Sequence, residues 1–183
     1  MLNRLKASTM LLLIVLCWPN SAYADLPEYE VKAVFLERFT RFVEWPDMDP
    51  VENPLKNFVI GVIGKNPYGD LLERIYSERK IKDRKVEIRY IEEVPESVSC
   101  HLFFISVSKR RDLAQLLSFT EDKPILTVGD SKGFAEKGVL INFHMDKHML
   151  RFTINESAVR KSGLIMDYRL LQFATIVKPV HGE

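Results

Sequence analysis

Three short runs constrain this chain more than anything else in it: Phe58 to Ile63 is apolar without the one-in-two alternation of a half-exposed strand, Leu102 to Val107 is apolar as in a central strand, and Pro124 to Val128 returns as another strand. Runs of that length suit strands covered on both faces, which belong to sheets sandwiched between helices. The intervening segments agree. After the first run, Gly64-Lys65-Asn66-Pro67 turns the chain, with Asn66 as a helix cap and Pro67 as a first helical residue leading into Leu71, Leu72 and Ile75. Val86, Ile88 and Tyr90 alternate as in a half-exposed strand. Ser108 caps a helix whose buried stripe is Leu113, Leu116 and Leu117, and Gly129-Asp130 closes the third run with a turn.

Before the first run, Glu28 to Glu44 places Val31, Val34, Phe35, Phe39 and Phe42 at three- and four-residue spacing, one face of an amphipathic helix. Pro27 suits its first turn, and Pro46 ends it near Trp45. Asp47 to Pro54 reads as a loop, and Asp47 to Asn57 is the nearest thing to a linker. In the last third, Val139 to Phe143 and Met149 to Ile154 form two strands joined across His144 to His148, a hairpin with a five-residue loop. Asn155 caps a short helix that Gly163 ends, and a second short helix carries Leu170, Leu171 and Phe173 before Pro179. The order predicts one α/β domain: a central mixed, mostly parallel sheet with helices on both faces, closed by a C-terminal β-hairpin plus two short helices.

The first twenty-four residues read as a cleavable export signal, with Arg4 and Lys6 at the start, an apolar run from Met10 to Trp18, and Ala22-Tyr23-Ala24 as a small-x-small cleavage site. That run is about half the roughly 20 residues a membrane span needs. Leu16 and Trp18 flank Cys17 with bulk, unlike a lipoprotein signal. Residues 1–24 are thus expected to be removed and 25–183 to form the exported domain. Loss of Arg4 and Lys6 leaves 24 basic residues against 25 acidic, with the signs interspersed. Nucleic acid is not expected, because binding phosphates needs a clustered basic face, and Arg79 to Lys85 is interrupted by Asp83 and reads as a solvated turn. Cys100 is the one remaining cysteine, so no internal disulfide forms. It directly precedes an apolar run and is expected to be a buried, inert thiol, with a mixed dimer through it as the alternative.

Catalysis finds little support. His101, His144, His148 and His181 build no metal site: His144 and His148 flank a hairpin turn and lack the glutamate of a His-Glu-x-x-His motif. Cys100 and His101 are neighbours on a strand and face opposite sides. There is no Gly-x-Ser-x-Gly elbow, and Gly61 to Lys65 is followed by Asn66 rather than the Ser or Thr of a phosphate loop. Gly64 and Lys65 stand where a phospho-receiver would carry its acidic pair, so Asp130 is read as a turn residue. No enzyme activity, cofactor or metal is expected.

Binding is better supported. Glu44-Trp45-Pro46 sets a large aromatic at a helix end, either as a partner anchor or as a core residue closing the helix against the sheet. Ile165 and Met166 follow Gly163 without obvious sequestration, as packing or as contact surface. Tyr68 beside Gly69 is either core or the wall of a small-molecule pocket with Gly64 and Asn66.

Several segments taken together resemble the exported YfiR-like family. They are Phe42-Val43-Glu44-Trp45-Pro46; Ile60 through Gly69; Cys100-His101-Leu102-Phe103-Phe104-Ile105-Ser106; Ile125 through Asp130; Gly133 through Gly138; Phe152-Thr153-Ile154-Asn155; and Gly163-Leu164. Their joint order spans about Glu28 to Val177. The resemblance implies a periplasmic regulator without catalysis of its own, which restrains a YfiN-type inner-membrane diguanylate cyclase through its periplasmic portion and so lowers cyclic di-GMP and biofilm formation. The family is also linked to histidine kinases, so a ligand-binding module feeding a different membrane sensor is the alternative. Partner contacts are expected at Glu44, Trp45, Ile165 and Met166, a homodimer is possible, and the disulfides of other members are absent.

Overall fold

The computed structural model describes residues 22–46, 57–96 and 99–177, with side chains from Glu28 onward. The expected leader lies outside them except for Ala22-Tyr23-Ala24, which begin α1 (Ala22–Phe42), and the Asp47 to Pro54 loop lies outside as well. After α1 come β1 (Val43–Glu44), β2 (Phe58–Ile63), α2 (Leu71–Tyr76), β3 (Lys80–Ile81), β4 (Arg84–Ile91) and β5 (Leu102–Ile105). A 3-10 turn at Val107–Lys109 leads to α3 (Leu113–Ser118) and β6 (Leu126–Gly129). The remaining elements are β7 (Ile141–Asp146), β8 (Met149–Ile154), α4 (Glu156–Ser162), β9 (Ile165–Met166), α5 (Tyr168–Leu171) and β10 (Thr175–Ile176). No helix among the described residues is long and apolar enough to cross a membrane.

One eight-stranded sheet runs β10-β8-β7-β6-β5-β2-β4-β3, and its middle five strands are parallel. The expected mixed, mostly parallel sheet is therefore present. Its central strands are buried at every position, because alternate side chains enter two different cores. Phe58, Ile60, Val62, Leu102, Phe104, Leu126 and Val128 point toward α1 and α2, whereas Ile63, Phe103 and Ile105 meet α3 and Phe134 on the opposite face. Six phenylalanines, at 39, 58, 103, 104, 134 and 143, are fully enclosed, and burial of each contributes about 1.5–3 kcal/mol.

Four local expectations are corrected. The buried side of α1 is Ala33, Leu36 and Phe39 with Lys32 and Thr40, while Val31 and Val34 face outward. Asn66 does not cap a helix: its Oδ1 accepts from the Tyr68 N–H at 2.8 Å and its Nδ2 donates to the Gly69 carbonyl at 2.7 Å, which closes a turn and postpones α2 to Leu71. Ser106, rather than Ser108, accepts at the start of the 3-10 turn, and α3 begins only at Leu113. The hairpin ladder continues to the pair Asp146 and Met149, leaving a two-residue turn in which Lys147 and His148 both take left-handed backbone angles. Asn155 and Gly163 cap α4 as expected, with Asn155 Oδ1 accepting from Ala158 N–H and Gly163 left-handed.

Candidate functional site

The two ends of the parallel sheet differ in what they leave open. In doubly wound folds the carboxyl ends of the strands hold the ligand crevice. Here the register sets Ile63, Ile105 and Gly129 side by side, so Gly64, Ser106 and Asp130 emerge together at that end. The space between them is occupied from within. Gly64 has φ +88, and a Cβ there would stand 2.4 Å from Ser108 Oγ, so the turn is packed directly on the next crossover. Lys65 N–H donates to that same hydroxyl at 2.9 Å.

Asp130 is no mere turn residue. Its buried Oδ2 accepts from Tyr29 OH at 2.7 Å and from Lys32 Nζ at 2.9 Å, and Lys32 also reaches Glu28 Oε1 at 2.6 Å. The stretch of α1 from Glu28 to Lys32 thereby closes over Asp130 at the mouth of the crevice. Tyr68 packs beneath it, edge-on to Tyr29 and to Phe104 with centroids 5.3 and 5.0 Å away. Burial, with the nearby Asp130 carboxylate second, raises the Tyr68 phenol well above its ordinary range. Of the three residues expected to form a small-molecule pocket, Gly64 is crowded, Asn66 is engaged in its own turn and Tyr68 is core. Lys32 lies on the buried stripe of α1 with Leu36 and Phe39, a facing that the apolar spacing of Val31, Val34 and Phe35 obscures in the sequence.

The amino end is built differently. There α1 gives way to β1, and β1 pairs antiparallel with β9, matching Val43 with Met166 and Glu44 with Ile165. Residues more than a hundred positions apart in sequence, singled out separately as binding candidates, therefore lie side by side. The ribbon is held from several directions. Asp167 N–H donates to the Phe42 carbonyl at 2.8 Å, and the Arg169 guanidinium lies 5.5 Å from the Phe42 ring centre. Asp167 in turn caps α5 and holds Arg169, whose guanidinium keeps the Asp167 carboxyl below its usual range.

Trp45 belongs to the core and not to the surface. It is 7% exposed, packs edge-on against Phe58 at 5.3 Å, and donates its Nε1 hydrogen to the His101 carbonyl at 3.2 Å. His101 stacks on the other side of Phe58 at 4.8 Å, and its Nδ1 accepts the Val59 N–H at 2.9 Å. Burial and then the cations Arg84 and Arg89 lower the His101 pKa. Glu44 and Ile165 remain outside, Ile165 being 57% exposed, and Tyr168 and Phe173 add two further exposed rings in the adjoining segment.

The other sequence candidates take no part in either arrangement. Burial pushes the Cys100 thiol up to about 12, which makes it the inert thiol expected from its apolar context. His144 Nδ1 lies 3.3 Å from Thr153 Oγ1, while His148 sits in the hairpin turn. Among the described residues no group of three or more His, Cys, Asp or Glu gathers that could hold a metal ion.

The mostly parallel sheet with helices packed on both faces defines a single α/β domain. Within that class, the profile of the YfiR/HmsC-like family matches residues 29–175, and the chain belongs to this family, which is regulatory rather than catalytic. No curated protein matches the chain at significant similarity.

Proposed function

We propose that this protein is a periplasmic regulatory binding protein that restrains an inner-membrane signalling protein, most directly a YfiN-type diguanylate cyclase, and so lowers cyclic di-GMP. One observation supports the docking site above others: the β1 and β9 pairing presents Glu44 and the exposed Ile165 on a short ribbon tied to the core through Val43 and Trp45. A partner that meets this face meets a preformed surface, so little ordering cost opposes association. Restraint requires that the domain bind the inactive cyclase more tightly than the active one, since only differential affinity shifts a conformational equilibrium. Trp45 enters as the residue that positions the ribbon and Ile165 as the apolar contact, while Met166, opposite Val43, is half-buried against the core and helps to hold the strand in place.

Co-purification of the exported domain with the periplasmic portion of the cognate membrane cyclase tests this reading. Ile165→Asp is expected to abolish capture while the purified variant keeps its native circular dichroism and urea midpoint. Undiminished capture by Ile165→Asp removes the ribbon from the interface.

A further inference from the structure

The domain also carries an open concavity beside α4. A cleft of about 260 Å³ opens between the turn after α3, the segment entering β7, and α4. Leu117, Leu140 and Ala158 give its lining an apolar part, beside two ammoniums, three carboxylates and the polar side chains of Thr120, Asn155, Ser157 and Ser162. Across it Lys161 Nζ stands 3.5 Å from Glu121 Oε1, with the two side chains 63% and 58% exposed. An ion pair that exposed contributes little, since water screens it. A ligand that brings its own carboxylate to Lys161 and its own ammonium to Glu121 exchanges that one pair for two. Opposite charges beside apolar side chains suit a dipolar molecule with an aliphatic group.

We propose that this cleft binds a small zwitterion of the free aliphatic amino acid class. Its position also gives it an output. Lys161 and Ala158 lie on α4, and the left-handed Gly163 leads from α4 directly into Ile165 and Met166. An occupant that fixes α4 therefore bears on the strand proposed to meet the partner. That regulatory step rests on the docking reading, whereas binding itself does not.

The test uses the exported chain alone, by isothermal titration with L-leucine, L-valine and L-methionine, beside 4-methylpentanoate, which lacks the ammonium, and 3-methylbutylamine, which lacks the carboxylate. At least one amino acid is expected to bind, with both single-charge analogues at least tenfold weaker than L-leucine. Lys161→Ala and Glu121→Ala are each expected to weaken binding at least tenfold, and Lys80→Ala, on an exposed lysine of β3, to leave it unchanged. Absence of binding by all three amino acids, or binding indifferent to both cleft substitutions, overturns the proposal. Because no partner is present, either failure leaves the docking reading intact.

Discussion

Lys32 holds a helical position that spacing alone would give to an aliphatic side chain, and it does so only because Asp130, 98 residues later, receives its ammonium. Removing one member of a buried ion pair costs about 3–5 kcal/mol, because the survivor stays buried and uncompensated. The two members are not equivalent here. Without Asp130, Lys32 keeps Glu28; without Lys32, Asp130 keeps only a phenol hydroxyl. Urea denaturation is expected to show Lys32→Met losing about 3–5 kcal/mol and Asp130→Asn distinctly less; equal losses would argue against the asymmetry. His101 adds a pH dependence of known sign. Its folded pKa is depressed, so as pH falls below about 6.5 the unfolded chain takes up a proton that the folded chain resists. The stabilisation is complete above that range and is lost as pH falls through the folded pKa. A urea midpoint that declines from about pH 7.5 to about pH 5 is expected, with a shallower decline in His101→Asn, whose side-chain oxygen can still accept the Val59 amide. Parallel curves for the two proteins would assign the pH dependence to other groups.

Among the elements, the covered strands were the most legible part of the sequence. Every residue of β2, β5 and β6 is enclosed, so an unbroken apolar run was a sufficient signal. The facing of α1 was not legible. Its buried stripe includes Lys32 and Thr40, the former neutralised by a distant carboxylate and the latter donating to its own helix at the Glu37 carbonyl, while Val31 and Val34 stay exposed. The pairing that sets the proposed contact residues side by side was not legible: Glu44 and Ile165 were each marked, yet a two-residue strand carries no periodicity, and its pairing is fixed only when α1 and α4 pack on the same core. The ribbon then separates two kinds of substitution. Trp45→Ala removes a ring packed on Phe58 and is expected to cost about 3–5 kcal/mol, whereas Ile165→Asp changes an exposed position and is expected to stay within about 0.5 kcal/mol of the parent. Chemical denaturation distinguishes them, and a large loss in Ile165→Asp would make Ile165 a packing residue and not a contact.

For the molecule as a whole, one sheet has its two ends put to different uses. The carboxyl end, where related architectures hold ligands, is closed by Tyr29 and Lys32 of α1 on Asp130, and the amino end carries the ribbon, α5 and the exposed rings of Tyr168 and Phe173. Contact at one edge of a regulatory domain, and not chemistry in a crevice, is the account these features support. Intracellular cyclic di-GMP tests it most directly, measured in the native cell after deletion of the gene and restoration of exported parent, exported Ile165→Asp or a form without the leader. The account predicts that deletion raises cyclic di-GMP and that only the exported parent brings it down; a level unchanged by deletion, or restored equally well by Ile165→Asp, would contradict it.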